Sequence, residues 1–202
     1  MRLDIVITGV GGQGNVLASR ILARAAMDYG LSVRTSEAIG MAQREGVVMS
    51  QVRMGSGSFG ALIPNGQADI LLGFELAETV RGLPKLKQEG LVVVNTESIF
   101  PVSVSLGLSQ YDPDQLISYL QEQTVGLKQI NATVLARQAG TPKATNIVML
   151  GALAGLNVLP FAATHLKQVA MELIPSRLRE INLKAFELGQ QAVGGAEPCR
   201  CF

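Results

Sequence analysis

Leu3-Asp4-Ile5-Val6-Ile7-Thr8, followed by Gly9-Val10-Gly11-Gly12-Gln13-Gly14, is the stretch that decides the fold. The first six residues read as a short buried strand. Val16, Leu17, Ile21, Leu22, Ala25 and Ala26 then recur at helical spacing, and Gly30 stands where a helix C-cap is expected. Strand, glycine turn and helix start together make an anion cradle. The glycines permit a tight turn and close backbone approach. The first turn of the helix offers N–H groups without helical partners and the positive end of the dipole. Gly9, Gly11, Gly12, Gln13 and Gly14 are therefore candidate ligand-binding residues for a phosphate-bearing molecule.

The glycines also fit G-x-G-x-x-G, the dinucleotide fingerprint. That fingerprint asks for an acidic residue about 20 positions further on, at the end of the second strand. Here the chain reads Leu31-Ser32-Val33-Arg34-Thr35-Ser36-Glu37. Arg34 stands near the expected place and Glu37 comes slightly late, so an NAD reading fits imperfectly and an NADP reading leans on Arg34. A purely structural reading, in which the glycines only let helix and strand pack closely, competes with both.

The continuation alternates apolar runs with helical patterns. Val47 to Met54 reads as a strand, and Gly55-Ser56-Gly57-Ser58 suggests a hairpin into Phe59 to Ile63. Asp69 to Phe74 and Leu91 to Asn95 read as buried strands, with a helix from Leu76 to Arg81 between them. Asp112-Pro113-Asp114 opens a helix to about Gln123. Ile130 to Val134 reads as a short last strand, and from Asn146 the pattern is helical to Val193 with breaks near Pro160 and Pro175. The fold class expected is α/β and Rossmann-like: a mostly parallel sheet covered by helices on both faces, with the C-terminal helices on the same core. Residues 1–194 read as a single domain and 195–202 as a tail.

Composition narrows the function. The 202 residues are 48% hydrophobic and 16% charged, with net charge +1 and no basic stripe, so nucleic acid is not expected as a partner. Aromatics are 4% and tryptophan is absent, which disfavours base-stacking platforms. The most apolar stretch, Ile147 to Ala163, is broken by Asn157 and Pro160, and no membrane span or targeting segment is expected. The two cysteines, Cys199 and Cys201, exclude a disulfide framework and suit a reducing cytoplasm. They lack a second ligand pair for metal, and the single histidine, His165, lies in a helical stretch as a surface or partly buried residue. No Gly-x-Ser-x-Gly elbow, P-loop lysine, Gly-Asp-Gly segment or four-cysteine cluster motif occurs. A fold able to hold phosphate without groups to do chemistry suggests a subunit of something larger.

Gly9-Val10-Gly11-Gly12-Gln13-Gly14, Ser36-Glu37 with Gly40-Met41-Ala42-Gln43-Arg44, and Leu62-Ile63-Pro64 form an ordered series. It continues with Ala68-Asp69, Val94-Asn95-Thr96, Asn146 to Ala152 and Asn182 to Gly189. In this order the chain resembles the small, gamma-type subunits of the 2-oxoacid:ferredoxin oxidoreductases over nearly its whole length. Its likeness is closest to the beta subunits of the indolepyruvate type, within the pyruvate/ketoisovalerate oxidoreductase family.

The resemblance implies an accessory subunit of a hetero-oligomer that oxidatively decarboxylates a 2-oxoacid with coenzyme A, giving acyl-CoA, carbon dioxide and reduced ferredoxin. It also implies that thiamine diphosphate, Mg and [4Fe-4S] clusters reside on a large partner subunit, and that ferredoxin is met through the complex. The glycine loop would touch coenzyme A, and Arg44 would contact a phosphate or carboxylate near the subunit interface. Glu37 and Asn146 would shape local structure. One departure is Arg44-Glu45-Gly46, where the family reads Arg-Gly-Gly. A side chain at 45 costs free energy wherever that backbone needs φ > 0, and it adds a negative charge to the loop. The alternatives are a stand-alone NAD(P)-dependent oxidoreductase, which lacks a placed proton donor, and a sensing or scaffold domain.

Overall fold

The computed structural model describes residues 2–40, 46–57, 59–100, 104, 106–107 and 110–194. Six strands form one sheet: β1 (Arg2–Val10), β2 (Ser32–Ile39), β3 (Val47–Gly55), β4 (Ala68–Gly73), β5 (Leu86–Asn95) and β6 (Gly126–Ile130). Seven α-helices accompany them among the described residues: α1 (Asn15–Asp28), α2 (Leu76–Gly82), α3 (Pro113–Gln123), α4 (Ala132–Ala139), α5 (Thr145–Gly155), α6 (Ala163–Leu173) and α7 (Arg179–Val193).

The strand order is β2-β3-β1-β4-β5-β6. β1, β4, β5 and β6 pair in parallel, whereas β3 runs antiparallel to both of its neighbours, β1 and β2. β2 therefore points the same way as β1 but lies one strand removed from it. The sheet is mostly parallel, as the apolar runs imply, with β3 as its reversed strand.

Alternation along the central strands builds two cores. Ile5 and Ile7 of β1, Ile70 and Leu72 of β4, and Leu91 and Val93 of β5 face α1 and α4 to α7. Val6, Leu71, Val92 and Val94 face the other way, toward Leu76 of α2 and Leu120 of α3. Successive side chains of a strand point to opposite faces, so runs such as Leu91 to Val94 are apolar throughout because both faces are covered. On the larger face α5 crosses α7 closely. A Cβ at Gly151 would lie 2.1 Å from the Phe186 carbonyl oxygen, and one at Gly189 would lie 2.0 Å from that of Val148.

Three expectations are corrected. Phe59 to Ile63 forms no strand, because β3 is already paired along both edges and has no room for a hairpin partner. Side chains hold that segment instead. Arg53 donates from Nη1 to the carbonyls of Gly60 (3.0 Å) and Leu62 (2.8 Å), and Gln51 Oε1 accepts from Ile63 N–H at 2.6 Å. Second, the last strand ends at Ile130, and Ala132 to Val134 begin α4, because Asn131 caps that helix by accepting from Val134 N–H at 3.0 Å. Third, Leu17 is exposed, and α1 turns Asn15, Ala18 and Ser19 inward beside Ile21, Leu22, Ala25 and Ala26.

A buried charge pair closes the N-terminal edge of the sheet. Arg53 donates from Nε to Asp4 Oδ1 (3.0 Å) and from Nη2 to Asp4 Oδ2 (2.9 Å). Asp4 N–H donates to Asp69 Oδ2 at 2.7 Å, and Lys87 Nζ meets Asp69 Oδ1 at 2.7 Å. His165 is partly buried and bonds the Ala25 carbonyl near the end of α1 at 2.9 Å, away from the glycine loop. No helix among the described residues is long and apolar enough to cross a membrane.

Candidate functional site

α1, which follows β1, lies on the larger face, and α2, which follows β4, lies on the smaller one. The chain direction thus divides between β1 and β4. In open α/β sheets a crevice forms at such a switch point, outside the carboxyl ends of the strands. The glycine loop sits there. Gly12 and Gln13 line one side of a cleft of about 320 Å³ whose other walls are Glu97, Ser98 and Ile99 after β5, Thr133 and Arg137 of α4, and Pro142, Lys143 and Thr145 at the entry to α5.

Gln13 sets the position of the loop. Its Oε1 accepts from Val10 N–H at 2.8 Å, and its Nε2 donates to the Phe74 carbonyl at 2.9 Å. Asn95, buried at the end of β5, donates to the same carbonyl and to Thr133 Oγ1, each at 3.1 Å, and accepts from Ala132 N–H at 3.0 Å. The β1 loop, the end of β4 and the start of α4 are thereby held in one hydrogen-bonded frame.

The predicted cradle residues are brought together, but in different roles. Gly9 lies within β1, against the side chains of Gln13 and Asn15. Gly11 N–H donates to the Gly46 carbonyl at 2.9 Å and so ties the loop to the base of β3. Gly12 has φ +93°, nothing within 4 Å of a Cβ position, and faces the cleft. Gly14 precedes α1, packed against the buried Asn146, whose Nδ2 lies 3.5 Å from the Gly14 carbonyl oxygen. α1 has no side-chain N-cap. Arg44 and Glu45 lie outside the described residues, as do Cys199 and Cys201.

The electrostatics favour an anion. Arg137 and Lys143 bring two cationic side chains to the cleft, and Thr133 brings a hydroxyl, with Glu97 as the opposing acid. Glu97 pairs with Arg137, Nη2 to Oε1, at 3.0 Å. α1, α4 and α5 all begin at or beside the cleft, so the positive ends of three helix dipoles gather there. Beside it, the Glu75 carboxylate is buried at the N-cap of α2, accepting from Glu78 N–H at 2.9 Å and from the Tyr111 hydroxyl. Burial and this bond to Glu75 push the Tyr111 hydroxyl well above its usual range. Burial likewise raises Glu78, against the opposing pull of Arg81.

Arg137, Lys143 and Thr133 escaped the sequence reading. Assigning 130–134 to a strand concealed that Thr133 and Arg137 stand one helical turn apart on α4. The signal was available in Asn131, a capping residue type directly before Ala132.

The dinucleotide reading loses support from the same geometry. In that fold the second strand lies directly beside the first. Here β3 occupies the place, and β2, with Arg34 and Glu37, is displaced one strand outward. Arg34 bonds the adjacent Val33 carbonyl at 3.2 Å, and Glu37 lies 3.4 Å from Ser19 Oγ.

An α/β domain with a glycine-lined, cationic cleft at its switch point is the class that fold and site define. The sequence places it further. Residues 4–192 match the family model described as pyruvate ferredoxin/flavodoxin oxidoreductase, and the chain belongs to that family. It is 42% identical over 197 residues to the indolepyruvate oxidoreductase subunit IorB of Archaeoglobus fulgidus, covering 96% of this chain and 98% of that one. The crystal structure of a keto/oxoacid ferredoxin oxidoreductase gamma subunit from Geobacter sulfurreducens is similar, with TM-score 0.68, 25% identity and coverage of 95% and 98%. The same fold occurs in the 2-oxoglutarate:ferredoxin oxidoreductase of Magnetococcus marinus, a structure with 2-oxoglutarate, coenzyme A and succinyl-CoA bound. There the TM-score is 0.74 at 21% identity, over 98% of this chain and 32% of that one.

Proposed function

We propose that this chain is the accessory, gamma-type subunit of an indolepyruvate-type 2-oxoacid:ferredoxin oxidoreductase, and that its switch-point cleft holds phosphate groups of coenzyme A. The observation that carries the cleft reading is the convergence of Gly12, Thr133, Arg137 and Lys143 on one space at the carboxyl ends of β1 and β5. Hydroxyl and cationic donors beside an uncapped helix start suit phosphate oxygens.

The subunit reading draws on the relatives. The similar protein of Archaeoglobus fulgidus bears a subunit name, and in the Magnetococcus marinus enzyme this fold makes up a third of a longer chain. A domain that is part of a longer chain there and a chain of its own here is read as one that packs against the rest of its enzyme. Among the described residues no group of three His, Cys, Asp or Glu side chains could hold a metal. On the likeness to oxidoreductase subunits, thiamine diphosphate, Mg and [4Fe-4S] clusters are assigned to a large partner subunit, where they would supply decarboxylation and electron transfer, with ferredoxin met through the complex. Residues 1–194 act as one unit of that complex, in the cytoplasm, and Arg44 contacts an anionic group near the interface.

The test is anaerobic affinity purification of this chain from its native cells, with mass spectrometry of what accompanies it. The expected result is a stoichiometric partner carrying thiamine diphosphate and iron–sulfur clusters. Recovery of the chain alone would overturn the subunit reading.

A further inference from the structure

The acid in an otherwise cationic cleft needs an account. Glu97 lines the cleft and takes Arg137 as its partner at 3.0 Å. The two side chains are 29% and 56% exposed, so solvent and solutes reach the pair. Its backbone is anchored as well: Glu97 N–H donates to Asn95 Oδ1 at 3.4 Å, and Thr96 N–H donates to the Ile130 carbonyl at 2.9 Å. The carboxylate is thus delivered to Arg137 by a held segment.

We propose that Glu97 is a selectivity residue, an internal carboxylate that occupies Arg137 and keeps monoanionic carboxylates out of the cleft while yielding to phosphate. The proposal rests on the anion-cleft reading above. A solute carboxylate offers Arg137 the same two oxygens and the same charge as Glu97. Glu97 is tethered, so its effective concentration reaches the millimolar range or more, and a dilute carboxylate does not displace it. A phosphomonoester or diphosphate brings at least one further charge and more acceptor oxygens. It engages Lys143, Thr133 and the start of α1 together with Arg137, so displacing Glu97 leaves it with a net gain in charge-assisted bonds. In an enzyme that takes a 2-oxoacid and a phosphorylated coenzyme, such a residue sorts the two substrates. The acid is refused at the coenzyme site although the site is cationic.

The experiment is calorimetric titration of the full chain with inorganic pyrophosphate and, separately, with pyruvate as the carboxylate probe. Wild type, Glu97→Gln, Arg137→Gln and Lys143→Gln are compared at low salt, each first shown to keep its thermal transition. Glu97→Gln keeps the shape and removes the charge. Expected are tighter pyrophosphate binding by about fivefold and the appearance of pyruvate binding. Glu97→Ala repeats the test should the glutamine itself bind Arg137. Pyrophosphate affinity unchanged or weaker in both Glu97 variants, with binding reduced in Arg137→Gln and Lys143→Gln, overturns the selectivity role and leaves the cleft reading intact. Pyrophosphate binding that is absent from the wild type, or indifferent to Arg137 and Lys143, removes the cleft reading and this proposal with it.

Discussion

Gln13 joins the two halves of the sheet to each other through Phe74. One end of its amide satisfies Val10 N–H and the other donates to the Phe74 carbonyl, so a single side chain spans the switch point between β1 and β4. The same side chain braces one wall of the cleft. Replacing Gln13 by Ala leaves Val10 N–H without its partner and Phe74 with the Asn95 bond alone. The expected cost is about 1–3 kcal/mol in urea unfolding. Gln13→Glu keeps the acceptor for Val10 N–H while ionised and so restores part of that loss; it regains a donor to the Phe74 carbonyl only in acid, near the ordinary glutamate value of about 4.3.

Gly12 is the loop residue where the backbone itself sets the requirement. With φ +93° and open space around it, a substitution meets strain rather than collision. Gly12→Ala is expected to cost about 1–2 kcal/mol, and Gly12→Val more, because a branched side chain tolerates that region least. Both should weaken coenzyme A binding while the far-ultraviolet circular dichroism stays native. Unchanged affinity for coenzyme A in a folded variant would remove Gly12 from the site.

Asp4 and Arg53 make a buried pair whose members cannot be removed singly. Asp4→Asn leaves a desolvated guanidinium with carbonyl partners and no counter-charge, and about 3–5 kcal/mol of stability should be lost. Arg53→Met loses the pair and also the hold on Gly60 and Leu62, so limited proteolysis should then cut between β3 and β4 first. Cleavage elsewhere would refute the assignment of that segment's anchor.

Glu78 gives a pH dependence with a definite sign. Burial raises its carboxyl above the usual glutamate range, so the folded chain holds that proton more tightly than the unfolded chain does. Stability from this group is present below the ordinary glutamate value and is lost as pH rises through the higher folded value. Glu78→Gln removes that dependence. Relative to the variant, the wild type should lose stability over a window that opens at the ordinary glutamate value of about 4.3 and extends above it. Urea denaturation of both proteins at the opening of that window and well above it checks it, and a difference that does not change with pH contradicts the assignment.

The crossing of α5 and α7 is set by backbone contact. Gly151 faces the Phe186 carbonyl and Gly189 faces that of Val148, each too close for a side chain. Gly151→Ala must push the helices apart, and the expected loss is about 3 kcal/mol or more in thermal or urea unfolding.

How far the sequence revealed this molecule can be judged from particular segments. Leu91 to Val94 and Ile5 to Ile7 announced buried parallel strands because both faces are covered and every position is apolar. The breaks at Pro160 and Pro175 likewise fall between α5, α6 and α7. Strand order was not legible, since nothing in Val47 to Met54 states that its neighbours are β1 and β2; pairing depends on residues far apart in the chain. The misassigned 130–134 has a similar origin. Its apolar pattern suits strand and helix alike, and Asn131, the cap, was the deciding residue. The glycine loop was found by its motif. The cationic half of the cleft comes from α4 and the entry to α5, more than a hundred residues downstream.

The reversed strand β3 also constrains the route by which the chain reaches this form. β1 and β2 leave synthesis first, and they run in the same direction. Were they to join, β3 would have to break that ladder to enter. The antiparallel β2–β3 pair, contiguous in sequence, is a local structure that forms quickly, and its early closure presents β3 as a ready partner for β1. Productive assembly therefore hinges on a race between a near neighbour and a premature one. Slow or kinetically trapped refolding is the behaviour to expect when the β2–β3 pair is weakened, even where the finished protein is scarcely less stable.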